Sequence, residues 1–371
     1  MTDDPKKFPA IQGRVITAAE AIWQDDPLEV VYQHSLFCQV ALPRSRPEGR
    51  VFERSYQHGL VRIEAGALYD GVKMVEQQIP AGPKPRLALM YINSEAVRTR
   101  CPSVEVESSA RKFMERLGLN TDSGRDYLLF KRQMQALAAC RMVLGFKGEN
   151  GPVTVNTQPI SRFEAWITHG GQPVLWPGVI DLSHEYFSTL LAHAVPLDPR
   201  ALRALVHSAL ALDAYAFLAR RLYTLKKPVK VTWQQFHRQF GQEYTGQDPI
   251  KDFRKKWIPA CRAALAVYPS ARVEQVRGGL LLHPSLPPVH SSSVAVSVGL
   301  ADHVRRTLPD PAGAKNLKPV TVERFHKLYP RLDPYACKAD FDAWLDEGKE
   351  PPRHYDAAFL GFAKKWTKGK T

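Results

Sequence analysis

The sequence predicts an α+β fold, mainly helical, built of two tandem winged-helix domains followed by a small helical C-terminal module. Three observations predict it. A helix-turn-helix pattern with a strongly basic second helix runs from Lys226 to Arg262. A second copy of that pattern lies 123 residues earlier in the chain, in ungapped register. Each copy is followed by an apolar stretch interrupted by Gly, the sign of a β-hairpin.

The basic copy opens with a short strand. Thr232 stands at an N-cap position, Phe236 and Phe240 follow at i, i+4 spacing, and Gly241 comes just past the last apolar position, where a left-handed residue is expected. The next helix starts on Asp248 as cap with Pro249 at its first position, and carries Lys251, Arg254, Lys255, Lys256 and Arg262 around Phe253 and Trp257. Pro259 lies inside it, so a kink or an early stop is expected there. Before this unit, Ala201 to Leu225 reads as one long buried helix. After it, Ala271 to Pro284 supplies a hairpin with Gly278-Gly279 at its tip and Arg272 and Arg277 on it.

In the earlier copy Ser109 falls on Thr232, Phe113 on Phe236, Leu117 on Phe240 and Gly118 on Gly241. The same register sets Phe130 on Phe253, Lys131 on Arg254, Arg132 on Lys255 and Met134 on Trp257. A duplicated supersecondary unit is the economical reading. Its helices are expected from Pro85 to Thr99, Ser109 to Leu117 and Arg125 to about Val143, with Arg125 and Arg132 on the face opposite Phe130, Met134 and Leu137. Gly145 to Ile160 is its expected hairpin wing. Leu60 to Ile63 and Tyr69 to Val75 read as two strands of one hairpin ahead of it.

The chain has 371 residues, 44% of them hydrophobic, enough for two or three domains with cores. Its formal charge of +14 points to a polyanionic partner. Between Arg200 and Gly279 stand 15 Lys or Arg against 5 Asp or Glu, so the excess is concentrated on the second copy. Five scattered cysteines with no CxxC pair fit reduced thiols in a cytoplasm. No signal peptide or membrane-length apolar run is present in the sequence, so no membrane association is expected.

The domain organisation read from these features is an N-terminal helical segment at 1–40, winged-helix domains at 41–165 and 166–284, a Pro- and Ser-rich linker at 285–317, and the helical module at 318–371. Helix is expected around Ile16 to Trp23. The loop Ala41 to Arg54 carries Arg44, Arg46, Arg50 and Arg54, either as an arm along a phosphate backbone or as a solvated connector. A connector between the copies contains Trp166 and Trp176 and the run Asp181 to Leu191.

Catalytic patterns are missing from the sequence. None of the 12 histidines stands two residues from another, as a strand-nicking metal site requires, and the Gly-Lys-Thr that ends the chain has no phosphate loop around it. Asp340 and Asp342 diverge on a helix and read as surface residues; His207 and His237 read as packed or solvated. No catalytic residue, metal or cofactor is expected, and the chain is not read as an enzyme.

Several stretches resemble the RepA-type plasmid replication initiators of Gram-negative bacteria. They are FCQVALPRSRPEG from Phe37, PRLALMYINSEAVRT from Pro85, SARKFMERLGL from Ser109, GRDYLLFKRQMQAL from Gly124, the run from Asp198 to Gly241, FRKKWIPACRAALAVYP from Phe253, and GGLLLHPS up to Ser285. The resemblance implies a protein that binds repeated double-stranded sites at a plasmid origin, helps melt an adjacent AT-rich duplex, and recruits the host's replication initiator and replicative helicase. A homodimer is one of its implied forms. The residues expected to meet DNA are Arg125, Lys131, Arg132, Gln133, Lys147, Lys230, Lys251, Arg254, Lys255, Lys256, Arg262, Arg272 and Arg277. A transcriptional repressor built from the same domains is the alternative.

Overall fold

The computed structural model describes residues 10–25, 27–148, 151–163 and 178–289, and, nearer the C-terminus, 317, 321–322, 325, 328–329, 332, 334–346 and 355–366. The fold is mixed α/β. The chain divides into two compact units, Met1–Val298 and Gly299–Thr371. The expected connector around Trp166 and Trp176, and most of the expected linker at 285–317, lie outside the described residues.

The first unit opens with α1 (Ala10–Gln24) and β1 (Val31–His34). Then come β2 (Val51–Tyr56), β3 (Gly59–Glu64), β4 (Ala67–Tyr69) and β5 (Met74–Glu76). The first copy of the repeated pattern is α2 (Pro83–Thr99), β6 (Ser103–Glu105), α3 (Ala110–Arg116) and α4 (Gly124–Ala139). It continues into β7 (Arg141–Gly148), β8 (Gly151–Thr157), β9 (Ile160–Phe163) and β10 (Val179–Leu182). Helix α5 (His184–His193), β11 (Ala194–Leu197) and α6 (Pro199–Leu205) lead to the second copy. That copy is α7 (Ala209–Thr224), β12 (Val229–Thr232), α8 (Trp233–Phe240), α9 (Pro249–Ala266), β13 (Val273–Val276) and β14 (Gly279–Leu282).

The duplication is visible in the packing. Ser109 accepts the Lys112 N–H at the start of α3 at 3.2 Å, and Thr232 accepts the Gln235 N–H at the start of α8 at 3.2 Å. Gln235 Oε1 accepts the Thr232 N–H in return at 2.8 Å, which closes a capping box. Phe113 packs between Tyr91 of α2 and Phe130 of α4, with ring centroids 5.0 and 5.7 Å away. Phe236 packs between Phe217 of α7 and Trp257 of α9 at 5.9 and 5.0 Å. Each aromatic on the middle helix thus bridges the equivalent first and third helices, and burial of such large rings is the main stabilising term of each copy. The sheets repeat as well. Strand order is β6-β10-β9 in one copy and β12-β14-β13 in the other, all antiparallel.

Several expectations are corrected. The hairpin expected over Gly145 to Ile160 exists as β7 and β8, but it completes a four-stranded sheet of order β2-β3-β7-β8. The place beside β6 is taken by β9 and β10, so the strands of the first copy extend to Leu182, past residue 165. Leu60 to Ile63 does not pair with Tyr69 to Val75: β3 pairs with β2 and β7, while β4 and β5 form their own hairpin. Helix α4 ends at Ala139 instead of Val143, because Arg141–Gly148 is drawn into strand β7. The single helix expected from Ala201 to Leu225 is two, since Ser208 caps a new start by accepting the Ala211 N–H at 3.1 Å.

Two glycine and proline expectations also change. Gly241 is not left-handed, having φ −113°; a Cβ there would meet the Phe253 ring at 2.7 Å and His237 at 2.8 Å, so the requirement is space. Gly118, at the matching position, does have φ +73°. Helix α9 runs through Pro259 to Ala266 without stopping early. The proline ring is exposed, so the missing N–H leaves a carbonyl of the preceding turn on the solvated side of the helix.

In the second unit α10 (Pro334–Asp346) and α11 (Tyr355–Trp366) bury Cys337, Phe341, Phe359 and Ala363 together with Phe325. The Phe341 and Phe359 rings meet at 5.8 Å. Asp342 pairs with Lys338 at 2.5 Å and Asp340 accepts the Trp366 indole N–H at 2.7 Å.

Candidate nucleic-acid interface

Helix α9 is positioned by its apolar stripe. Asp248 accepts the Lys251 N–H at 3.0 Å, Pro249 occupies the first turn, and Phe253, Trp257, Ala260, Cys261 and Ala264 are buried. Trp257 stacks on Phe240 of α8 at 4.8 Å, which locks the rotation of α9 against α8, and on Phe253 of its own helix at 5.4 Å. With that face turned inward, Lys251, Arg254, Lys255, Lys256 and Arg262 are all exposed. Among the described residues only Lys255 of these five makes an ion pair, with Asp252 at 3.8 Å. Burial pushes the neighbouring Cys261 thiol up to about 12, so it stays protonated and unreactive.

The strand pair β13–β14 stands beside this helix. Gly278 turns the chain with φ +83°, and Gly279 lets β14 approach β12 where a Cβ would strike the Val231 carbonyl at 2.1 Å. Arg277 at the turn and Arg272 before β13 are exposed, as is Lys230 on β12. The Arg272 N–H donates to Ser285 Oγ at 3.0 Å, which fixes the base of the hairpin. Helix, hairpin and strand thus present eight unburied cations on one copy.

In the first copy Arg125 and Arg132 are exposed on the side of α4 away from Phe130 and Met134. Lys131 is half-buried. Gln133 is half-buried too, and its Oε1 accepts the Ala81 N–H at 2.7 Å ahead of α2, so its carbonyl is already engaged. Lys147 is exposed on β7, in the four-stranded sheet and not in the β6-β10-β9 sheet.

The Arg-rich loop is neither a free arm nor a simple connector. Arg44 Nε donates to Glu243 at 2.7 Å, its Nη1 to the Tyr244 hydroxyl at 2.6 Å, and its guanidinium lies 4.4 Å over the Tyr244 ring. Arg54 is buried, donating to Glu243 at 3.2 Å and to the Ala41 carbonyl at 3.1 Å. Burial pulls its pKa down and Glu243 opposes that shift. Arg50 pairs with Glu76 at 2.7 Å, while Arg46 is exposed. Glu243 sits in the turn between α8 and α9, so Arg44 of the loop and Arg54 of β2 hold the turn that leads into the basic helix. Sequence reading missed this clamp because nothing local marks a partner almost two hundred residues away.

His207 is exposed and meets Arg14 at 2.5 Å; the His237 ring stands edge-on to Phe253 at 5.8 Å. Among the described residues no three His, Cys, Asp or Glu side chains group as metal ligands, and no helix is long and apolar enough to cross a membrane.

Comparison with known proteins covers the first copy and part of the second. Residues 79–235 match the family model of plasmid-encoded RepA proteins, RepA_C. The resemblance to RepA proteins read from the sequence therefore holds from just before α2 into α8. The RepA_C match ends at Gln235, ahead of α9 and its hairpin. Similar solved structures include two of RctB domains. A structure of domain 2 and domain 3 of RctB has a TM-score of 0.45 at 11% identity, covering 69% of this chain and 99% of that one. A second structure of RctB domains 2-3 has a TM-score of 0.41 at 12% identity, covering 67% and 94%. Among curated proteins nothing matches.

Proposed function

We propose that the protein is a plasmid replication initiator that binds repeated sites at its origin through two tandem winged-helix domains and acts by binding, without catalysis. The observation that carries this reading is the exposed, almost wholly unpaired cationic face of α9 beside the hairpin β13–β14, on the second copy of a pattern whose first copy lies within the RepA_C match. The order helix, strand, helix, helix, strand pair, with the first strand beside the last, is the winged-helix order; the second copy follows it directly, and the first follows it with β7 and β8 inserted ahead of the pair. Its third helix is the one that enters a major groove. Lys251, Lys255 and Arg262 share one face of α9 and meet base edges or phosphates; Arg254, Lys256, Lys230, Arg272 and Arg277 track the backbone. The host initiator and replicative helicase are then recruited to the melted duplex, and a homodimer is a further state of the protein.

The test is binding of the full chain to repeats flanking its coding region at graded salt. Neutralising six to ten phosphates lowers affinity by about 10³ to 10⁵ between 50 and 200 mM salt. A flat salt dependence overturns the reading. An initiator also sustains an origin plasmid in a host lacking its own copy, whereas a repressor with the same domains silences a promoter and leaves that plasmid to be lost.

A further inference from the structure

The two copies agree in what they bury but differ in what they show, with Arg125 falling on Asp248, Leu129 on Asp252 and Gln133 on Lys256. In register, Lys131 and Arg254 are both basic, and so are Arg132 and Lys255, but Leu128 stands where the second copy has Lys251. Positions 125, 128 and 132 follow i, i+3, i+7 spacing and form one stripe of α4 opposite the buried Phe130, Met134 and Leu137. Leu128 is 56% exposed, more so than its neighbours Tyr127 and Leu129. Arg125 and Arg132 are exposed on either side of it and make no ion pair among the described residues. A large apolar side chain held in water between two unpaired guanidinium groups adds little to stability, because it is not removed from solvent.

We propose that Leu128 is a specificity-determining residue that packs on the C5-methyl group of a thymine in the major groove, with Arg125 and Arg132 on the flanking backbone. The proposal rests on the DNA-binding reading above. Thymine alone among the four bases carries a methyl group in that groove, and apolar contact with it separates thymine from cytosine. Phosphate contacts carry no such information, so Lys251 and Leu128 give the two helices different tasks: one reads polar edges or backbone, the other a methyl. Two cations beside the leucine match a polyanion better than an ordinary protein surface.

The experiment uses the full chain and a duplex of about thirty base pairs that it selects from a random-sequence pool, a length on the order of three helical turns. Each thymine is replaced in turn by deoxyuracil, which removes only the methyl group. One or two positions then weaken wild-type binding about threefold to tenfold, the scale of one buried methyl group. For Leu128→Ala those same replacements have no effect, and for Leu128→Lys the salt slope steepens by about 1 while the uracil effect disappears. An unchanged uracil pattern in Leu128→Ala overturns the proposal. So does wild-type DNA binding by Leu128→Ala accompanied by altered self-association, which assigns the leucine to a protein contact. A pool from which nothing is selected overturns the DNA-binding reading itself, and is distinguished by wild type failing alongside the variants.

Discussion

Arg86 on α2 and Asp213 on α7 join the first helices of the two copies: Nε and Nη2 donate to the two carboxylate oxygens at 2.7 and 2.8 Å, and both side chains are buried. Arg86 also donates to the carbonyls of Leu42, Pro43 and Gly82. The pair therefore ties three segments of the chain at one point. Asp213→Ala strands a buried guanidinium and is expected to cost about 3–5 kcal/mol in urea unfolding. Arg86→Met combined with it does not fully restore the loss, since the Leu42, Pro43 and Gly82 carbonyls each lose a charged donor, although Pro43 still accepts the Gly82 N–H at 3.0 Å and Leu42 the Arg54 Nη1 at 3.5 Å.

Glu243 is the matching tie for the basic copy. Removing it leaves Arg54 buried without its carboxylate, while Arg44 keeps the Tyr244 hydroxyl. Because Glu243 and Arg44 retain about a fifth of their exposure, the full buried-pair cost is discounted, and Glu243→Ala is expected to destabilise by about 2–3 kcal/mol. Hydrogen exchange checks the location: protection is lost first in the turn between α8 and α9. Equal loss everywhere refutes a local clamp.

Burial, with His193 nearby, lowers the His34 pKa from 6.5 to about 3. The folded protein thus holds this imidazole neutral where the unfolded chain is protonated. The stabilisation is complete above pH 6.5 and is lost as pH falls toward 3, by about 1.4 kcal/mol per pH unit. Nδ1 accepts the Leu36 N–H at 3.1 Å, a role Asn can fill. His34→Asn is expected to remove that much of the slope between pH 6 and 5. A pH profile indistinguishable from wild type contradicts it.

What the sequence made legible was local chemistry. Ser109, Thr232 and Asp248 announce helix starts because a cap is satisfied within three residues, and all three accept the backbone N–H expected of them. Strand partners were less legible. The Gly-rich sequence between β7 and β8 gives a stronger local signal than β9 and β10, whose pairing joins Phe163 to Ile180 across a long interval, so the local signal does not reveal which strands lie beside β6. For the candidate site, the basic face of α9 was readable from helical spacing, whereas Arg44 and Arg54 looked free because Glu243 is remote in sequence.

Gly118 and Gly241 occupy matching positions but need glycine for different reasons, and substitution separates them. At Gly118, with φ +73°, Ala costs about 1–2 kcal/mol in backbone strain and Asn costs less, because Asn tolerates the left-handed region. At Gly241 the backbone is ordinary and the Phe253 ring stands 2.7 Å from an added Cβ, so Ala costs about 1–3 kcal/mol and Asn more. Thermal or urea unfolding of the four variants gives opposite Ala-to-Asn orders at the two sites. The same order at both sites refutes the distinction.

Lys251, Arg254 and Arg262 make no ion pair among the described residues, so each is available to a phosphate. Alanine at any one of them is expected to lower the magnitude of the slope of log K against log salt by about 1. Arg50→Ala is the control, since that arginine is exposed but held by Glu76 and the Ala65 carbonyl. Fluorescence anisotropy on a selected duplex between 50 and 200 mM salt measures all four. If Arg50→Ala changes the slope as much as the α9 variants do, the effect is one of net charge, and α9 is not the helix that meets the backbone.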